Sequence, residues 1–381
     1  MSAEFRETVR AALAEIVLPY ADQWERQGRM DRAAWLELGA RGLLHAGLTG
    51  TDFLCGAIVL EELGRTGYAG VRAAVAVHAF MAAYYLERFA TPEQRHYLED
   101  LRAGRLIVGL AISEPEAGSD LRTLTTVARE NCDAPTEYLV SGTKSPIANG
   151  LDADILITLA NTATRPTSNA LACSSLLIVD LRDAPVTRTP LPMLGWHSAG
   201  LATIEFAEVG VPAGNLLGRR DRAMLHLMAA LDFERLAASL LALGGVGHCL
   251  ELTLAQVRAR VIDADPLVAR QAIRHRLTAL TGELSVLTTY LDRAVRSHAI
   301  GELDTYTAAT AKLMSTELAA AAARACLQFH GARGYRADAA PARIYRDAAG
   351  AILAAGPSEL MHELMFTGID EALNTYGPSP A

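Results

Sequence analysis

Cysteine is scarce in this 381-residue chain: five residues, Cys55, Cys132, Cys173, Cys249 and Cys326, far apart, odd in number and in no C-x-x-C pair. That spacing excludes a disulfide framework and argues against zinc, leaving reduced thiols in a cytoplasmic protein and no metal site. Surplus positive charge is also missing. Lys plus Arg number 35 against 43 Asp plus Glu, a net charge of -8, which excludes a generic nucleic-acid binder. Long uninterrupted apolar runs are lacking; the longest are Ala-rich and broken by charges, so no membrane span is expected. The N-terminus MSAEFRETVRAALAEIV carries Phe5, Val9, Leu13 and Ile16 on one helical stripe, without the apolar core and cleavage site of a secretory signal. No GxGxxG follows a first strand, and GxxxxGK[ST], GxSxG and HExxH are absent, so Rossmann dinucleotide binding, P-loop chemistry, serine hydrolysis and zinc proteolysis lose support. What is present is 51% hydrophobic and 20% charged, the composition of a well-packed globular chain long enough for two or three domains.

The hydrophobic period changes twice along the chain. Residues 1–107 carry apolar residues three and four apart and read as a helical domain. Thr91-Pro92-Glu93-Gln94 marks a helix start, with Thr91 as cap and Gln94 reaching back. Over 108–218, short runs rich in Val, Ile, Leu and Thr (TEYLVSGTKSPIANG, DILITLAN, SSLLIVDL, LATIEFAEVGVP) predict a compact antiparallel β domain. ATRPTSNA, around 162–170, reads as an exposed excursion between strands. Over 219–381 the helical period returns, with helices expected near 223–260, 266–299, 303–330 and 357–373, a four-helix-type bundle. The fold class is α+β, mostly α.

The stretch GLAISEPEAGSDL, 109–121, places two acids and Ala117-Gly118-Ser119-Asp120 directly after the buried-strand pattern of Ile107, Val108, Leu110 and Ile112. Small residues and polar caps suit a loop against which a phosphate or a planar ring could lie. A tight turn capped by Ser119 or Asp120 explains it equally well.

The order helical domain, β domain, helical bundle, with AISEPEAGSD opening the β domain, resembles the acyl-CoA dehydrogenase family of flavoproteins. FATPEQRHYLEDLRAG (89–104), IEFAEVGVPAGNLLG (204–218) and QFHGARGYRADAAPARIYRDA (328–348) extend the resemblance over nearly the whole chain. It implies FAD held at a subunit interface of a homodimer or homotetramer. It also implies removal of two hydrogens from an acyl thioester of coenzyme A or an acyl carrier protein, and an electron-transfer acceptor. By resemblance Leu110, Ile112, Ser113, Gly118 and Ser119 meet the flavin, with Ser119 also at the thioester. Arg260, eleven residues before Gln271, reaches the FAD pyrophosphate, a task suited to a guanidinium fork. Gln328, Gly331 and Gly334 approach the shared cofactor from the other side.

Departures from the family pattern are concentrated near these positions. Asp263-Ala264 replaces a Phe-Gly, Ala332 a second glycine, and KSPIANG (144–150) puts Pro146 and Ala148 where an indole and a hydroxyl usually neighbour the flavin. In LAAGPSEL (353–360), Ala355 occupies the usual catalytic glutamate position, followed by Gly356. A second base position known in the family falls on Glu234 of LDFERLAAS, beside Arg235, which with Ala355 and Gly356 would line the substrate. Glu359 and Glu363 are weaker candidates on a helix expected to turn them outward, and His197 and His330 read as packing residues. The expected activity is FAD-dependent dehydrogenation of a short or specialised thioester, with ordinary α,β or shifted γ,δ regiochemistry. The alternatives are a flavin-dependent oxygenase or N-oxygenase on the same fold and a noncatalytic paralogue.

Overall fold

The computed structural model describes residues 3–134, 136–163 and 169–374; of the excursion expected over 162–170, residues 164–168 lie outside the described residues. Helices α1 (Ala3–Ile16), α2 (Ala21–Gln27), α3 (Arg32–Ala40) and α4 (Phe53–Arg65) open the chain. α5 (Ala69–Ala76) and α6 (Ala83–Phe89) are joined by a π-helical stretch, Val77–Ala82, and α7 (Arg95–Arg102) follows. The middle of the chain is β1 (Val108–Ala111), β2 (Val127–Glu130), β3 (Glu137–Ile147), β4 (Ile155–Asn161), β5 (Ser174–Asp180), β6 (Val186–Pro190), β7 (Ala202–Pro212) and β8 (Leu216–Leu217). Then come α8 (Ala223–Ala259), the hairpin β9 (Val261–Ile262) and β10 (Asp265–Pro266), α9 (Gln271–Ala299), α10 (Thr305–His330), α11 (Ala340–Leu353), α12 (Ser358–Thr367) and α13 (Ile369–Asn374). A helical domain, a β domain and a helical domain thus follow one another as the periodicity predicts.

By packing, the chain forms two compact units, Met1–Leu48 with Tyr68–Leu231, and Thr49–Gly67 with Asp232–Ala381. In the first, the strands make one sheet in the order β6-β7-β3-β2-β4-β5-β8, with β1 on β4. Most pairs are antiparallel, but β1 runs parallel to β4, from Val108 opposite Ile155 to Ala111 opposite Thr158, because β1 arrives from a helix and not through a hairpin. One side of the sheet closes over Val140, Ile147, Leu156, Leu177, Ile204 and Phe206. Gln94 caps as its sequence context predicts: its Oε1 accepts the Thr91 N–H at 3.0 Å, while its Nε2 donates to the carbonyls of Gly214 and Leu216. Ala69–Phe89 and Ala223–Ala259 are long and apolar enough to cross a bilayer, but their most apolar windows are 89% and 67% buried within the fold, as core helices are.

His78, in the π-helical stretch, anchors the strand that leads to the candidate site. Its Nδ1 accepts the Val108 N–H at 3.1 Å and its Nε2 donates to the Leu101 carbonyl at 3.0 Å, so the ring is the neutral Nε2–H tautomer. Burial pushes its pKa down to about 3 against the opposing pull of the Leu101 carbonyl. Below about pH 6.5 the unfolded chain binds a proton that the folded chain refuses, so stability present at pH 7 is lost as pH falls towards 3. Urea titrations should show wild type losing roughly 3 kcal/mol more between pH 7 and pH 4 than His78→Gln, which keeps a donor and an acceptor but does not titrate. Equal losses would remove His78 as the titrating group.

In the second unit α4 meets α8 backbone to backbone. A Cβ on Gly64 would strike the Leu241 carbonyl and one on Gly244 the Glu61 carbonyl, so only glycine permits this crossing. α10, lined with buried alanines, packs against α9, α11 and α12. Arg276 Nη2 donates to the Ala321 carbonyl across the antiparallel α9 and α10, so the start of α9 and the end of α10 share one end of the bundle. The helix expected from 266 begins only at Gln271. Asp263 (φ 54) and Ala264 (φ 70) form a two-residue left-handed turn, and Pro266 lies in a strand, which together make the β9–β10 hairpin. α11 begins within the segment 328–348, which the resemblance reads only as an FAD element, and runs on to Leu353; Pro341 in its first turn fits the helix start.

Candidate active site

The predicted residues fall in both units, and each set has its own geometry. In the first unit, the loop after β1 is built around Glu114 and Lys144, whose side chains are 3% and 0% exposed. Glu114 Oε2 accepts from the Thr125 N–H and hydroxyl, both at 2.7 Å, and Oε1 from the Thr126 N–H at 2.9 Å and Lys144 Nζ at 3.0 Å. Lys144 Nζ also donates to the Ile112 carbonyl at 2.9 Å. Burial pushes the Glu114 carboxyl up, but hydrogen bonds from Thr126 and Thr125 and the charge of Lys144 outweigh it and hold the group at about 2. Burial lowers the Lys144 ammonium to about 8 despite Glu114. The pair is therefore ionised at neutral pH.

The first acid of EPEAGSD is thus a strut. Reciprocal backbone bonds between Glu114 and Ala117 close the turn, and Asp120 caps the next one by accepting the Arg122 N–H at 3.0 Å. Pro115, Glu116, Gly118 and Ser119 project to the surface. Ser145 N–H donates to the Ser113 carbonyl at 3.0 Å, so Ile112 and Ser113 lie beside Lys144 and Ser145, the residues that lead into Pro146. Pro146 follows a cis peptide bond and is exposed; Ala148 is half-buried. Neither Glu114 nor Lys144 was singled out by motif reading, although a lysine inside an apolar strand demands a buried partner and so signals one.

In the second unit, Glu234 is half-buried on α8, next to the buried Arg235. Arg235 Nη1 donates to Asp232 Oδ1 at 2.7 Å, and Asp232 Oδ2 accepts from the Thr305 hydroxyl at 2.8 Å, so this guanidinium is committed to a neighbour on its own helix. Phe233 stacks on His298 at 4.9 Å and meets the edge of Phe53 at 5.4 Å. Buried Lys312, whose surroundings include Arg235, donates to the Ile352 carbonyl at 2.6 Å just ahead of Ala355. Ala355 (φ 55) and Gly356 (φ 97) are both left-handed, so the alanine keeps an unusual backbone without a functional side chain. Glu359 and Glu363 are exposed.

Arg260, Gln271, Gln328, Gly331 and Ala332 are all exposed, at the bundle end that α9 opens and α10 closes. Gly331 (φ 59, ψ -149) adopts a conformation essentially reserved for glycine. Asp263, whose charge would oppose a nearby phosphate, is 85% exposed and faces Arg270 at 3.6 Å. His330 Nδ1 bonds the Cys326 carbonyl at 2.8 Å, and His197 the Met193 carbonyl at 3.1 Å, both local packing contacts. These residues fit FAD. No atom lies within 4 Å of a Cβ placed on Gly118 or Gly331, leaving room for a ring or phosphate, and the guanidinium and amides face outward.

With this geometry in view, the comparisons define the class. The N-terminal, middle and C-terminal domains of acyl-CoA dehydrogenase match residues 2–105, 109–209 and 224–369. The long-chain specific acyl-CoA dehydrogenase of Rattus norvegicus mitochondria is 30% identical over 369 residues, covering 95% of this chain and 84% of that protein. Isovaleryl-CoA dehydrogenase of Pongo abelii mitochondria is 28% identical, covering 94% and 86%. An acyl-CoA dehydrogenase structure from Geobacillus kaustophilus superposes with a TM-score of 0.91 at 29% identity, covering 97% of this chain and 99% of that one. The chain belongs to the acyl-CoA dehydrogenase family and is an FAD-dependent oxidoreductase. PigA with FAD and proline, at 21% identity and a TM-score of 0.87, shares the fold alone, so the oxygenase alternative is not favoured.

Proposed function

We propose that the chain desaturates a short or specialised acyl thioester, carried by coenzyme A or an acyl carrier protein, with Glu234 removing the α proton. The observation that carries this is the pairing of Ala355, which cannot accept a proton, with a half-buried carboxylate at the second base position. FAD, when bound, would supply the acceptor for the hydride leaving the β carbon and a route for the electrons to a protein acceptor. Glu234 Oε receives the proton as the C–H bond breaks, which needs the carboxylate and the flavin on opposite faces of the chain. Arg235, held by Asp232, places a fixed, charge-compensated ion pair beside the base. The α11–α12 loop at Ala355 and Gly356 presents backbone to the thioester. Regiochemistry is α,β in this reading; a γ,δ product from a 2-enoyl thioester is the vinylogous extension that product analysis separates.

Sharing of FAD between subunits of a homodimer or homotetramer is part of the proposal. From Glu234 to the end of α8 at Ala259, the helix rises roughly 38 Å at 1.5 Å per residue. Arg260, Gln271, Gln328, Gly331 and Ala332 therefore stand at the opposite end of the bundle from the base, which supports their serving a neighbouring subunit's cofactor. The division at 107 and 218, and a cytoplasmic location consistent with five free cysteines, belong to the same reading. Arg260→Ala should weaken FAD retention about 10- to 100-fold through loss of a charge-assisted phosphate contact, measured by equilibrium dialysis of folded protein. Unchanged FAD affinity would take Arg260 out of the site.

A further inference from the structure

The α11–α12 connection contains two successive left-handed residues, Ala355 and Gly356, and the first is not glycine. Such a backbone is strained for a residue that carries a Cβ and persists only where its surroundings impose it. Those surroundings lie on one face of α10. Lys312, 0% exposed, donates from Nζ to the Ile352 carbonyl at 2.6 Å, satisfying a last-turn acceptor of α11 with a cation. Glu317 Oε1 accepts the Ser358 hydroxyl at 2.7 Å, at the first residue of α12. Three residues beyond Ser358, Met361 of α12 is fully buried against Ala309 and Leu313 of α10. Residues 309, 313 and 317 share a helical face, with 312 adjoining it.

A buried ammonium is a costly way to fill space, since methionine would pack there without desolvating a charge. Arg235 of α8, Glu317 of α10 and Glu359 of α12 are the charged groups facing it, and burial lowers the amine to about 8 in spite of the two carboxylates. Its return is directional: one short bond to the Ile352 carbonyl in the last turn of α11, just ahead of the loop 354–357. We propose that Lys312 and Glu317 are positioning residues that clamp this loop from its two ends, and so fix where a bound acyl thioester lies relative to the proton acceptor. The inference rests on the reading above, in which Ala355 and Gly356 meet the substrate, and goes beyond it by assigning their placement to α10.

The test is anaerobic rapid mixing of FAD-loaded protein with a saturated acyl-CoA, following flavin absorbance. Lys312→Met should lower the limiting rate of flavin reduction about 10- to 100-fold, as expected of a thioester displaced by about 1 Å, with FAD content unchanged. Ser358→Ala should lower it several-fold, and the double variant by less than the product of the two, because both release one loop. Glu317→Gln, whose amide oxygen still accepts from Ser358, should keep the wild-type rate. A purely structural role would move the melting temperature and leave the limiting rate alone, and that result overturns the clamp. Should Lys312→Met not fold, a wild-type limiting rate in Ser358→Ala overturns it instead. Wild type that no thioester reduces overturns the functional reading along with the clamp; wild type that is reduced, with variants indistinguishable from it, overturns the clamp alone.

Discussion

Glu234→Gln slows reduction of the bound flavin by an acyl thioester about 10³-fold, while the thioester and FAD still bind. Glutamine keeps the size and polarity of the side chain but cannot take a proton, so the loss appears in the limiting rate and not in the binding term. The magnitude is that of removing a general base, and alanine at 355 offers no carboxylate to compensate. Ala355→Glu placed in the Glu234→Gln background should recover part of the rate, because it restores a carboxylate at the position where the resemblance implies the usual glutamate. Stopped-flow absorbance on the single and double variants measures both effects. A near-native rate in Glu234→Gln moves the base to another group.

The second large effect is on folding. Lys144→Met destabilises the protein by about 3–5 kcal/mol, because it leaves the Glu114 carboxylate buried without its cation and takes a donor from the Ile112 carbonyl. Glu114→Gln combined with Lys144→Met should be less destabilised than Lys144→Met alone, since no uncompensated charge remains. Urea unfolding followed by far-ultraviolet circular dichroism reads both, and a loss under 1 kcal/mol in Lys144→Met would show that the pair does not hold the loop. Acid acts on the same group: the folded Glu114 titrates at about 2, below an unfolded value near 4.5, so its contribution is complete above pH 4.5 and is lost as pH falls towards 2.

These two residues also mark the limit of what the sequence discloses. The change from helical to strand period and back places the helical, β and helical domains, because burial of one face imposes a period on the text. Thr91 and Gln94 announce a cap because their partners lie three residues apart. The Glu114–Lys144 bond joins residues 30 apart whose proximity depends on the turn of the loop and the path of β3, and no local pattern encodes that. The strut role of Glu114 was therefore hidden inside a motif that reads as a ligand loop. The β9–β10 hairpin escapes for a different reason: Asp263 and Ala264 lack the glycine that usually marks a left-handed turn, so 261–265 reads as a plain connection and the next helix is expected from 266 instead of Gln271. Lys312 carries no signal of its role in an Ala-rich helix, because the carbonyl it meets belongs to α11, 40 residues further along the chain. Glu234 was legible only by resemblance, since a half-buried acid beside an arginine on a long helix is ordinary text.

The central claim is thioester dehydrogenation, and its most direct measurement is anaerobic mixing of the FAD-loaded protein with matched saturated and 2-enoyl coenzyme A thioesters, with products identified by mass spectrometry and NMR. Bleaching of the flavin by a saturated chain, with one 2-enoyl product formed per flavin reduced, is the predicted result. Bleaching only by 2-enoyl chains, with a γ,δ alkene as product, would keep the dehydrogenase and correct the carbon at which it acts. A flavin that no thioester reduces, but that an external nicotinamide reduces and oxygen then reoxidises with oxygenation of a substrate, would contradict the account.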